Sequence, residues 1–325
     1  SKPVGDDMNR TRLLALGAVT LSSILWGTTG TAATFAPAAG PLAIGAFALG
    51  IGGILQALVA LRPLRAERTK LGQRRGVVAV GAIAVAIYPL AFYSSMHLAG
   101  VALGAVVSLA SAPLAAGIIE RVVGRKPLSR WWMAAAGLGI AGSIMLCFAR
   151  MADQPQAALP TLAGIGLGLV AGTTYAIYSW CAQTLMDSGV SRAASMGAIF
   201  GAGGVLLVPV IFVTGAQLIS TPQTFAVAAY MALIPMFLGY LLFGFGLAHL
   251  PVSTVTTLTL SEPAIATVLA VVVVGEQLNG LGWSGLGAIG LALAMLTFTP
   301  TPRRTPEARI HQDAAEFTDL QADPA

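Results

Sequence analysis

Apolar residues run along this chain in ten long blocks separated by short polar breaks. The blocks cover 12–35, 41–61, 76–98, 101–121, 131–150, 161–186, 193–215, 223–249, 252–275 and 281–299. Each reaches or approaches the roughly 20 residues that cross about 30 Å of hydrocarbon as a helix. Helices satisfy their own backbone in lipid, so the pattern predicts an all-α integral membrane protein with ten transmembrane helices.

The blocks form two sets of five. Ser111-Ala112-Pro113-Leu114-Ala115 in the fourth block returns in the ninth as Ser261-Glu262-Pro263-Ala264-Ile265. At the same offset, Gly124-Arg125-Lys126-Pro127-Leu128 is matched by Val274-Gly275-Glu276-Gln277-Leu278. The expected division is an N-terminal segment 1–11, a first five-helix repeat 12–150 and a linker 151–160. A second five-helix repeat 161–299 and a polar tail 300–325 follow. The tail, with Pro302, Pro306 and Pro324, reads as a solvated, disordered extension. Duplicated halves of an apolar chain are the signature of a secondary transporter whose site lies near the midplane between the repeats.

Charge fixes the expected orientation. With the N-terminus inside, the inner segments hold Lys2, Arg10 and Arg12, then the six basic residues from Arg62 to Arg75. They also hold Arg121, Arg125, Lys126 and Arg130, then Arg192, then Arg303, Arg304 and Arg309. Of the 18 basic residues, only Arg150 falls on the other side. The excess of Lys and Arg on one side predicts both termini in the cytoplasm. Five helices per half is an odd number, so the two repeats must be inverted relative to one another.

Composition narrows the function. The chain is 56% hydrophobic and 10% charged, with a mean hydropathy of +0.80. A soluble domain carries about 25% charged residues. The pI near 9.6 reflects basic loops between apolar blocks and does not point to nucleic acid. Cys147 and Cys181 lie in apolar blocks without metal spacing and read as small core residues. His97, His249 and His311 are too scattered to share a site. No catalytic motif, metal cluster or phosphate-cradling loop is present, so no enzyme activity, metal or cofactor is expected. The expected partners are a small-molecule substrate and the lipid bilayer, with a monomeric chain.

Glu262 is the exceptional ionisable residue, about ten residues into the ninth block. An intramembrane carboxylate costs a few kcal/mol or more and is a functional hypothesis by default. In one reading it titrates during transport or binds a substrate amine. In the other it is structural: Pro263 leaves a carbonyl unpaired one turn earlier, and a protonated Glu262 could donate to it. Ala112 at the matching place in the first half favours the structural reading. Glu120 and Glu276 stand at helix ends, where interfacial placement explains them.

Aromatic residues mark the candidate cavity. Trp26, Tyr88, Phe92, Tyr175, Tyr178, Trp180, Tyr240 and Phe243 converge on helices 1, 3, 6 and 8. Several lie too deep for an interfacial belt. Ser108, Ser111, Thr257 and Ser261 add hydroxyls from helices 4 and 9. Ordinary helix packing accounts for any one of these residues; together they suit an amphipathic solute. Pro89, Pro113, Pro235 and Pro263 are internal breaks and candidate hinges.

These motifs resemble a known family. Trp26-Gly27, the Ser108/Pro113 turn, the Glu262-Pro263 pair and Gly275-Glu276-Gln277-Leu278 are similar to the EamA type of the drug/metabolite transporter superfamily. Within it they look closest to the YddG-type aromatic amino acid exporters of bacteria. The resemblance covers 12–299 and implies a ten-helix inverted-repeat exporter of small metabolites across the bacterial inner membrane. One departure is Gly124-Arg125-Lys126, where the family repeats Gly-Glu. The reading is alternating access around a cavity built from helices 1, 3, 4, 6, 8 and 9. Aromatic or other hydrophobic amino acids are the leading solutes and drugs or other metabolites the alternative. A membrane-embedded enzyme or a channel is disfavoured.

Overall fold

The computed structural model describes residues 4–33, 35–99, 101–151, 158–269, 271–272 and 277–298. The expected tail 300–325, most of the linker, His311, and Gly275 and Glu276 lie outside the described residues. Among those described, every regular element is helical. Ten helices are long and apolar enough to cross a membrane. They are α1 (Asn9–Ala33), α2 (Pro41–Val59), α3 (Arg75–Ala99), α4 (Leu103–Val122), α5 (Arg130–Ala149), α6 (Leu159–Asp187), α7 (Arg192–Ile219), α8 (Pro222–His249), α9 (Val252–Leu269) and α10 (Gly280–Thr297).

Local chemistry sets several helix starts. Pro41 opens α2, where its missing N–H costs nothing. The side chains of Ser191, Thr221 and Asn279 cap α7, α8 and α10 by accepting from Ala194, Thr224 and Gly282 N–H groups. Two features were not legible in the apolar pattern. Helix begins at Val4, inside the expected N-terminal segment 1–11, because extending a nucleated helix through polar residues costs little. The basic connection after α2 folds into two short helices, Leu61–Ala66 and Arg68–Gln73.

The packing follows the duplication. α2 packs on α7, α4 on α9 and α5 on α10, each helix against its own counterpart. The extensive α3–α6 contact is matched by α8 on α1. Close approach at these seams requires glycine. A Cβ on Gly142 would stand 2.7 Å from the Gly285 carbonyl oxygen, and one on Gly285 would stand 2.7 Å from that of Gly142. Such reciprocity is what a two-fold relation produces, and small residues at the seam let helices pack in lipid.

Hydrogen bonds between connections define two faces. On one, Lys70 Nζ donates to the Gly189 carbonyl and the Ser191 N–H to Glu67 Oε2, both at 2.9 Å. Donation from Ser191 holds the Glu67 carboxyl below the usual carboxylate range. This face carries Arg62, Arg65, Arg68, Lys70, Arg74 and Arg75. On the other, Gly40 N–H donates to Gln217 Oε1 and Gln223 Nε2 to the Phe35 carbonyl.

Candidate functional site

Three helices lose regular geometry between the repeats. α1 is interrupted at Thr28, between helical stretches ending at Gly27 and starting at Thr29. α8 contains a π-helical stretch, Ala232–Leu238, with Pro235 inside it. α9 is split into Val252–Leu258 and Ser261–Leu269, just ahead of Pro263. Their counterparts α6, α3 and α4 run without interruption, although Pro89 and Pro113 lie inside α3 and α4.

The irregular stretches are fastened together. Trp26 Nε1 donates to the Pro235 carbonyl at 2.8 Å, and Ser22 Oγ to the Gly239 carbonyl at 2.8 Å. Within α8, the Gly239 N–H donates to Ile234 rather than to Pro235, which leaves the Pro235 carbonyl for the indole. Gly27 lies so close to α9 that an added Cβ would meet Ile265 and the Glu262 carbonyl. In α9, the carbonyl that Pro263 frees is that of Thr259, and it accepts from the Glu262 N–H at 3.0 Å.

An aromatic cluster fills the space behind these joints. Trp26 lies 4.8 Å from Tyr240, 5.4 Å from Phe243 and 6.4 Å from Tyr175, between ring centroids. Tyr88 lies 5.6 Å from both Phe92 and Tyr175, and 5.7 Å from Tyr178. Such distances are those of favourable edge-to-face, tilted and stacked pairs. Three of the hydroxyls are bonded: Tyr175 donates to Thr259 Oγ1 at 3.0 Å, and Tyr178 and Tyr240 share a bond of 2.8 Å.

The cluster has a lining and a backing. A small cavity of about 20 Å³ is lined by Trp26, Thr29, Gly45, Leu49, Tyr88, Pro89, Phe92, Tyr93, Met236, Tyr240 and Glu262. Tyr175, Tyr178 and Phe243 are fully buried behind that lining. Trp180 is half-buried and joins none of the ring contacts among the described residues. Ser108, Ser111 and Ser261 donate to carbonyls of their own helices, and Thr257 accepts from Trp132 Nε1. These four belong to helix packing and do not line this cavity. Sequence reasoning missed the α2 contribution of Gly45 and Leu49, and it missed Tyr93, Met236 and Thr29. Gly45 is the one position with a readable reason: its missing side chain is the space the Tyr93 ring occupies. Phe200, 4.5 Å from Tyr240, was also missed, and nothing in its surroundings along the chain marks it.

The two faces differ in closure. On the basic face, Glu120 accepts from the Ser253 N–H at 3.0 Å and from Ser253 Oγ at 2.6 Å. Glu120 is 5% exposed, so its helix-end position gave its depth but not its burial. Beside it, Gln183 Nε2 donates to the Leu247 and Leu250 carbonyls at 2.9 and 2.7 Å. These bonds seal α4 and α6 against the α8–α9 turn. Towards the opposite face, an open cavity of about 550 Å³ is lined by residues including Thr28, Thr31, Phe35, Gln223 and Tyr230. Thr28 and Tyr230 share a 2.6 Å hydrogen bond there, one residue from Thr29 in the inner cavity.

Comparison with known proteins agrees with this architecture. The EamA-like transporter family matches the chain twice, over 13–148 and 162–298. The chain belongs to that family. The two matched stretches coincide with the two sets of five helices, so the EamA repeat is the five-helix unit seen here. Among relatives, the chain is 33% identical over 294 residues to the uncharacterized transporter YwfM of Bacillus subtilis, covering 89% of this chain and 96% of that one. It is 28% identical over 219 residues to the threonine/homoserine exporter RhtA of Salmonella typhimurium, covering 67% of this chain and 69% of that one. One solved crystal structure shares the fold with a TM-score of 0.71 at 19% identity, covering 86% of this chain and 95% of that one. The EamA repeats of this chain are unequal at the site: the second supplies Glu262, the π-helical α8 and the split α9, where their counterparts in the first have Ala112 and run unbroken, while the first supplies the break in α1.

Proposed function

We propose that this EamA transporter exports small amphipathic metabolites by alternating access, with hydrophobic, especially aromatic, amino acids as the leading class. The observation that carries the reading is the aromatic-walled cavity holding Glu262 between the repeats, where the discontinuities of α1, α8 and α9 meet. Aromatic walls with a few polar groups suit a solute that is mostly apolar and has one charged end. The name of RhtA and the likeness of the motifs to YddG-type exporters support amino acids over drugs. Transport would open the cavity to one face while the other is sealed, with Pro89, Pro113, Pro235 and Pro263 as bending points. The basic residues gathered on one face support both termini in the cytoplasm, and the bacterial relatives support an inner-membrane location. A single chain holds the whole cavity, which supports a monomeric carrier.

Counterflow tests this reading. Purified protein in liposomes loaded with unlabelled L-phenylalanine or L-threonine should transiently accumulate the labelled solute above its external concentration. Equilibration without overshoot would indicate a channel, and chemical conversion of the label an enzyme.

A further inference from the structure

Among the described residues, the carboxylate of Glu262 has no hydrogen-bond or ion-pair partner. Its backbone N–H is already spent on Thr259, and the carbonyl freed by Pro263 is thereby satisfied without the side chain. It stands in the first turn of the half-helix Ser261–Leu269, where the helix dipole tolerates negative charge best. Among the described residues, no Lys, Arg or His lines the cavity with it. The walls are instead the rings of Trp26, Tyr88, Phe92, Tyr93 and Tyr240.

Resting on the transporter reading above, we infer that Glu262 and these rings form a binding site for a free primary ammonium group, the feature that all substrates of this carrier share. A carboxylate in lipid needs a countercharge, and this cavity supplies none of its own. Aromatic faces around a carboxylate attract an organic cation by both charge pairing and cation–π interaction. The remaining space, about 20 Å³, holds one water-sized group. An ammonium head is of that size, and the rest of the solute requires the cavity to open. Ala112 occupies the matching place in the first repeat and is fully buried, so each molecule has one such site.

The experiment compares solutes that differ in the ammonium charge: L-phenylalanine with N-acetyl-L-phenylalanine, and phenethylamine with N-acetylphenethylamine. Wild-type protein in liposomes should exchange the amines at least about tenfold better than the amides, and Glu262→Gln should remove that preference, since Gln keeps the volume but not the charge. Glu262→Asp, which keeps the charge on a shorter arm, should retain the preference at a reduced rate. Thermal unfolding in detergent supplies a readout independent of transport: phenethylamine should stabilise wild type and Glu262→Asp but not Glu262→Gln. Equal exchange of amines and amides by wild type and Glu262→Gln would overturn the ammonium site and leave the transporter reading standing. Absence of counterflow for every solute would overturn the transporter reading, and the thermal shift alone would then decide the site. No stabilisation of wild type by phenethylamine would overturn it.

Discussion

The Trp26 indole N–H donates to the carbonyl of Pro235 on a helix from the other repeat, and Gly239 is what lets it get there. A Cβ on Gly239 would stand 2.7 Å from Trp26 Nε1. The bond joins the end of the first part of α1 to the π-helical stretch of α8, where proline has disturbed the backbone ladder.

Trp26→Phe keeps a ring at this joint and removes the donor. Leaving the Pro235 carbonyl without the indole should cost about 1–2 kcal/mol of stability. Unfolding of the purified protein in detergent measures the loss. An unchanged midpoint would show that the carbonyl finds another donor.

Gly45 makes room for the Tyr93 ring. Gly45→Ala forces that ring toward the cavity or strains the α2–α3 contact, at about 1–3 kcal/mol for overpacking. Transport should fall while the helical fold persists. Gly17→Ala, at a position where an added Cβ meets nothing, is the matched control and should transport normally. Equal transport by both variants would remove Tyr93 from the pathway.

The three aromatic positions Tyr88, Tyr178 and Trp180 should separate by assay. Tyr88 lines the cavity, so Tyr88→Ala should lower apparent affinity about 2- to 13-fold, from about 0.5–1.5 kcal/mol per aromatic contact. Tyr178 is fully buried behind it, so Tyr178→Ala should cost about 3–5 kcal/mol of stability instead. Trp180→Ala should do neither to a comparable extent. Transport titrations and detergent unfolding on all three variants check the ranking, and a Tyr178→Ala protein as stable as its parent would contradict the packing.

Orientation is tested at the C-terminus. A reporter enzyme active only in the periplasm should stay silent when fused there. Activity of that fusion would reverse the face assigned to the basic loops and to the Glu120–Ser253 seal.

The apolar pattern was sufficient for the ten spans, their duplication and the odd count that inverts the second half. Those features depend on one boundary, water against hydrocarbon, and hydropathy reports that boundary directly. It also singled out Glu262, because a carboxylate inside an apolar block is conspicuous in any fold. Which way each helix turns was a different matter. In lipid the outside of the bundle is as apolar as its inside, so residue polarity carries little information about rotation. Only the tertiary structure separated Trp26, Tyr88, Phe92 and Tyr240 at the cavity from Tyr175, Tyr178 and Phe243 behind it. Only the structure turned Ser108, Ser111 and Ser261 back onto their own helices and brought α2 to the cavity through Gly45. The four candidate hinge prolines looked alike along the chain, yet Pro235 and Pro263 accompany irregular backbone while Pro89 and Pro113 sit in unbroken helices. What surrounds a proline decides the local backbone: Pro263 frees the Thr259 carbonyl, which the Glu262 N–H satisfies, whereas the Trp26 indole takes the carbonyl of Pro235 itself, left open because the Gly239 N–H donates to Ile234.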